Sequence, residues 1–536
     1  MSAVRRVALI FACAALLAPV AARAQGTEWS EATVGSEWEV YARALAIRGL
    51  IPDEPWAIRP FSPSVLDEFA DSLTARHPWA KRLPHRTAPV TGFHMLRSSG
   101  EVSYNSAYAW GFNDGPVWQG KGLNAWATAG ATWRSGHWSM RFEPLVEIAQ
   151  NAAFQLEPVP GGAANRYVDQ QNPYSIDLPQ RMGSGMYHLI SPGQSYIRYD
   201  LSWFGAGFST ENLFWGPGVR NAILFGPNAG GFPHIFFGTN RAVHTAVGRF
   251  AGQVVYGRLA QSNWAPNSQN STRLGAGLIV TWQPPSTPIT FGLARFYHRD
   301  WPAHWTSQDY TLPFGGFFSR PQATIVGASG VDNQLASVFF SARAKSIGLE
   351  VFGEFGKNDR NSSIRDLTVE PENNSAWLLG FMQVIGLDAY SEDFWTVRGT
   401  VANGRVDALK LLNRGQSTFY SHGTIRQGHT QQGQVLGSPL MERSGGADFA
   451  VDHFTSGGRL GIELIERQMP PDIGVGMPAN QLRSQWDLGV GGTLFRGNSD
   501  LTFQVGRVID LNRFPGVNMS NYYIRFGNRL PNPFPH

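Results

Sequence analysis

The residues best suited to chemistry in this chain are tryptophans with planar polar neighbours. Trp215 stands beside Asn212, Arg220 and Asn221; Trp264 lies near Asn263 and Asn267; Trp301 and Trp305 flank His304 next to Asp300. A flat aromatic face meets the C–H side of a sugar, and amide, carboxylate or guanidinium groups meet its hydroxyls, so these clusters suit carbohydrate binding. Each ring also has a plainer use, as a membrane-girdle or packing residue. Trp215 sits in a turn rather than at a strand end, so its plainer use is packing inside a plug. Catalytic spacings are missing: the sequence has no Gly-x-Ser-x-Gly, no His-Glu-x-x-His, no phosphate-cradling glycine loop with lysine, and no acidic calcium loop. His422 and His429 are seven apart on a glycine-rich loop, a pattern for loop hydrogen bonds rather than metal binding. The expectation is a protein that is not an enzyme and has no cofactor or metal. An embedded hydrolase would need Ser or Asp beside His at one strand end.

The first 24 residues have a basic start at Arg5 and Arg6, an apolar run from Val7 to Val20, and Ala22-Arg23-Ala24 before Gln25. That is a secretory signal peptide (1–24), and Cys13 leaves with it, so no disulfide framework is expected. Without Arg5, Arg6 and Arg23 the balance is 41 basic against 40 acidic residues. No basic run interleaves with aromatics, so nucleic acid is not a partner. After the leader no apolar run reaches the ~18 residues of a spanning helix. Yet Phe, Trp and Tyr make up 12% of the chain, 60 residues are glycine, and only 16% are charged. A soluble domain carries about a quarter charged residues. An exported, aromatic, glycine-rich and charge-poor chain points to an all-β transmembrane β-barrel in the outer membrane, touching its lipid and acting as a monomer.

The elements follow from periodicity. Trp38, Tyr41, Ala42, Leu45 and Ala46 recur at three and four, and Ser62-Pro63 opens a second short helix through Val65, Leu66, Phe69 and Leu73. Residues 25–90 therefore read as a helical periplasmic cap, with a plug segment entering the barrel as the alternative. From Pro89 the period becomes 2. Val102–Phe112 alternates large and small residues, placing Tyr104, Tyr108, Trp110 and Phe112 toward lipid. Ser195–Trp203 puts Ile197, Tyr199, Leu201 and Trp203 on one face, and Leu482–Val490 does the same with Trp486 and Leu488. The 445 residues from 92 onward, at about 25 per strand, give about 18 antiparallel strands for a barrel over 91–536. The last strand should finish at Phe526. A soluble β-sandwich pair or propeller is the competing architecture. Two stretches lack period 2, near 211–243 and 405–445. Their glycines, prolines and apolar residues predict ordered loops folded inward to occlude the lumen.

Those two stretches also carry a resemblance. Trp215-Gly216-Pro217-Gly218, Asn228, Phe232-Pro233-His234 and Arg241, followed about 200 residues later by His422 and Gly433-Gln434-Val435-Leu436-Gly437-Ser438-Pro439-Leu440, resemble the signatures of the capsule assembly Wzi family. His429 and Gln431 stand where that pattern has an aromatic and a histidine. The resemblance implies an outer-membrane, lectin-like protein that binds and anchors capsular or other surface polysaccharide. It makes Trp215, Asn228, Arg241 and His422 the candidate polysaccharide contacts, and Gly216, Pro217, Gly218, Pro233 and Gly437 loop architecture. An outer-membrane porin for sugars or other small solutes is the alternative.

Overall fold

A period-2 sequence presents an unpaired edge unless the sheet closes, and lipid offers no water to satisfy that edge. The computed structural model describes residues 29–266, 272–314, 332–358, 374–405, 419–469 and 483–531. The leader and the last residues of the tail therefore lie outside it. Taking each interrupted strand as one, the described residues form eighteen strands: β1 (92–105), β2 (122–135), β3 (138–149), β4 (187–200), β5 (Phe204–Ser209), β6 (234–245), β7 (Gly248–Ala260), β8 (Thr272–Gln283), β9 (Ile289–Asp300), β10 (Asp332–Ala344), β11 (Leu349–Asn358), β12 (Ser375–Ile385), β13 (Asp393–Asn403), β14 (Gly445–Thr455), β15 (Gly458–Met469), β16 (Arg483–Arg496), β17 (Ser499–Phe514) and β18 (Val517–Arg529). Neighbours in sequence pair antiparallel, and β18 returns to β1 with Tyr523 opposite Asn105 and Arg529 opposite Ser99, so the barrel is closed.

Alternation assigns the two faces. Tyr199, Leu201 and Trp203, like Trp486, Leu488 and Val490, are exposed on the outer wall, while Arg198, Gln485 and Asp487 are buried inside. The outer apolar surface is the lipid-facing band of an outer-membrane barrel. Phe250, Trp282 and Phe291 stack in a row at one border of it, with ring centroids 6.4 and 6.2 Å apart. That border lies at the end closed by short turns such as 246–247, 456–457 and 497–498, which is the periplasmic end in bacterial barrels.

The structure departs from the sequence pattern in three places. Strand β1 stops at Asn105, and Tyr108, Trp110 and Phe112 turn into the lumen instead of meeting lipid. The Asn105 amide donates to the carbonyls of Trp110 and Gln119, both at 3.1 Å, folding the 106–121 connection inward, where Trp110 Nε1 donates to Asp487 at 2.9 Å. The inward loop near 211–243 is shorter than expected. Residues from His234 onward are strand β6, with Ile235 on the outer wall and Phe236 inside. Last, β18 continues past Phe526 to Arg529.

The helical unit stands in the short-turn mouth. Helix α1 (Glu37–Ile47) starts at Ser36, whose hydroxyl accepts from the Glu39 N–H, and α2 (Pro63–Ser72) starts at Ser62 in the same way, with Pro63 first in the helix. Residues Trp38 through Ile47 are all buried, because α1 meets the wall and the loops above it as well as its own unit. Tyr41 stacks on Trp79 with centroids 4.3 Å apart, and both pack on Phe454 of β14. Ion pairs fasten the unit to the barrel: Arg43 to Glu350 (2.8 Å), Arg82 to Asp500 (3.0 Å), and Glu37 to Arg459 (3.3 Å).

Candidate functional site

The two sequence signatures meet inside the barrel. Connection 210–233, between β5 and β6, lies against residues 419–444, between β13 and β14, through backbone and side-chain bonds. Gly226 N–H donates to Leu436 O (2.8 Å), Ser438 N–H to Ala222 O (2.9 Å), Tyr420 Oη to Ile223 O (2.9 Å) and Asn228 Nδ2 to Val435 O (2.8 Å). Beneath them Phe225, Phe232, Val255, Ile279, Phe296 and Phe352 form one apolar core joining plug and wall. A relay of hydrogen bonds from a guanidinium through two imidazoles runs through it. Arg273 donates to His298 Nδ1 (3.4 Å), His298 Nε2 to His429 Nδ1 (2.7 Å), and His429 Nε2 to Leu224 O (2.6 Å). Burial pushes His429 down to about 3, which holds it neutral.

The plug rests on the helical unit. Trp215 pairs with Ile58 and Phe214 with Arg59 in a two-residue antiparallel ribbon. The carbonyls of Pro217 and Gly218 accept from Arg43, and that of Gly218 also from Arg59 at 2.8 Å. Gly216 has φ +143°, where a Cβ would press on Glu354, and a Cβ at Gly218 or Gly437 would overlap a neighbouring carbonyl. Gly216, Pro217, Gly218 and Gly437 thus build the plug, and Pro233 ends it with its carbonyl accepting from Arg258 N–H at 2.9 Å.

The structure separates the four expected sugar contacts. Trp215 has no free face: it is 0% exposed, edge-on to Phe225, and donates to Gln253 at 3.0 Å. Its neighbours are engaged too, Asn221 with Asp448 (3.0 Å) and Arg220 with Glu463. Asn228 holds the second loop. His422 Nδ1 accepts from Ile425 N–H at 2.8 Å and so orders its own turn. Arg241 is half exposed at the short-turn end, 4.0 Å from Glu68 and far along the barrel from the long loops.

A different cluster occupies the long-loop end. Trp264 lies over Gly183, where a Cβ would overlap its ring, and meets Tyr167 edge-on at 6.2 Å. Arg166 stacks over Tyr167 at 4.9 Å, and Asn165 Nδ2 donates to Trp264 O at 3.2 Å. Buried Asp177 accepts from the Ser262 N–H at 2.6 Å and carries the bond network to Gln427, whose amide donates to Gln261 at 2.7 Å. Exposed Arg426 stands beside it. Trp264 and Asn263 were visible as a pair in the sequence; Asn267 lies outside the described residues. Residues 165–167 were missed, and the only available signal was Asn-Arg-Tyr in an otherwise glycine- and proline-rich connection. Trp301 and Trp305 are elsewhere, exposed on a segment outside the barrel.

Between plug and helical unit lies a polar cavity of about 230 Å³, floored by Gly461, Gly489 and Gly491. Most of its charges are paired: Asp452 with Arg398 and Arg459, Glu37 with Arg459, Glu463 with Arg220, and Arg525 with Asp114.

No family model matches the chain, and no curated protein does. Among solved structures, Wzi of Escherichia coli superposes with a TM-score of 0.62 at 14% identity, over 93% of this chain and 99% of that one. The fold is that of Wzi. Wzi is an outer membrane protein involved in group 1 capsule assembly and a carbohydrate-binding β-barrel. A BenF-like porin from Pseudomonas fluorescens Pf-5 gives 0.39 at 9% identity, over 81% and 97% of the two chains, and opdK from Pseudomonas aeruginosa gives 0.36 at 9%, over 81% and 98%.

Proposed function

We propose that this chain is a lectin-like barrel that holds capsular or other surface polysaccharide at the cell surface, by binding without catalysis and as a single copy. The observation that carries the reading is a partly exposed aromatic, amide and guanidinium cluster (Asn165, Arg166, Tyr167, Trp264) at the long-loop end, with exposed Arg426 on a neighbouring loop, above a filled lumen. A ring face and fixed planar groups suit a sugar, and a polymer resting there has no open path inward. Likeness to Wzi agrees with it.

The test is polysaccharide partition. Deleting the gene should leave total glycan unchanged while the cell-attached fraction collapses into the medium. Complementation with Trp264→Ala or Arg166→Ala should restore barrel insertion but less than half of the attachment. Unchanged partition after deletion would sink anchoring and direct attention to solute uptake.

A further inference from the structure

Residues 301–314 leave the top of β9 and fold down over the outside of the barrel. Three contacts hold them there. Tyr256 Oη, on the outer face of β7, donates to Tyr310 O; Arg299, on the outer face of β9, pairs with Asp309 at 2.7 Å; and residues 312–314 pack on β8 and β9. Outward-facing Leu274, Ala276 and Tyr297 are consequently 0–1% exposed, whereas Val280 and Val338 on the same wall are open at 44% and 52%. The strap turns its own aromatic side chains away from the wall: Trp301, Trp305, Tyr310 and Phe314 are all exposed, with Trp305 touching Trp301 (5.9 Å) and Tyr310 (5.3 Å).

The depth of this strap can be read from the register. Trp282 pairs with Phe291 in the lower girdle, and Leu274 pairs with Arg299 eight residues higher on both strands. Eight residues are about 27 Å of strand, or ~20 Å of height at a ~40° tilt, which reaches the upper border of a ~25 Å apolar band. Across Leu274 from Arg299 stands Arg258. It is exposed, and its guanidinium makes no ion pair among the described residues, while Asp309 takes up the charge of Arg299.

We propose that the strap and Arg258 form a docking surface for a phosphate-bearing glycolipid of the outer leaflet, rings at the acyl–headgroup boundary and the guanidinium on a phosphate. This is independent of what the long-loop face binds.

Purified protein in phosphatidylcholine vesicles would be melted with and without lipid A, and with dephosphorylated lipid A. Lipid A should raise the unfolding temperature and the dephosphorylated form should not, since a ligand stabilises only the state that binds it. Arg258→Gln should remove at least half of the rise, and Trp305→Ala should reduce it, with melting in plain vesicles near wild type. Equal rises with both lipids, an undiminished rise in Arg258→Gln, or the same rise from inorganic phosphate in detergent would overturn the proposal.

Discussion

Gly437 shows how single residues decide whether the plug can close. A methyl there would overlap the Ile223 carbonyl and the Tyr420 hydroxyl, two groups already bonded to each other, whereas nothing stands within 4 Å of a methyl at Gly423 on the same loop. Gly437→Val should therefore cost about 2 kcal/mol or more and Gly423→Ala close to nothing, read from thermal unfolding of the purified barrel. Equal melting of the two would mean that the loops do not need this contact. Residue type alone indicated that Trp215 and Trp264 suit a sugar, but not that Trp215 is sealed and Trp264 partly exposed. That depends on what crosses in front of the ring, and for Trp215 the covering groups are Ile58, Gln253 and Phe225 from three separate parts of the chain.

At the scale of elements, local signals were readable and closures were not. Ser36, Ser62 and Pro63 mark helix starts through bonds made within three residues, and period 2 marks strand faces through neighbours in sequence. The inward turn at 106–121 depends on Asp487 and Asn521, about 400 residues away, and no spacing reveals it. The helical unit carries its own titration. Buried His77 has Nδ1 accepting from Tyr41 Oη (2.8 Å) and Nε2 donating to Leu83 O (3.2 Å), an arrangement that needs the neutral ring, and burial lowers it to about 4. Its folded pKa lies below the unfolded value of about 6.5, so the unfolded state binds the extra proton between the two. Stability is thus full above about 6.5 and falls as pH drops toward 4, by roughly 1.4 kcal/mol per pH unit. Protease release of the helical unit should quicken from pH 7 to pH 5 more steeply in wild type than in His77→Gln; matching slopes would place the acid sensitivity elsewhere.

For the whole molecule the question is whether eighteen strands enclose a channel. An open barrel of this size would leave an aqueous lumen. Here three connections (106–121, 210–233 and 419–444) fold inward, α1 stands in the mouth beneath them, and a cavity between plug and helices measures about 230 Å³. The halves of the stopper support one another, since Arg43 ties the Pro217 and Gly218 carbonyls to Glu350 on the wall. Removing that guanidinium frees the Pro217 carbonyl, leaves that of Gly218 to Arg59 and leaves Glu350 with Arg343 alone, so plug and helical unit loosen together. In planar bilayers the wild type should pass only brief, small currents. Arg43→Leu should open far more often, while Arg241→Leu, whose ion pair is solvent-exposed, should behave as wild type. A steady porin-sized current from the wild type would show that the packed lumen yields to ions, and binding at the long-loop face would then have to operate on a conducting channel.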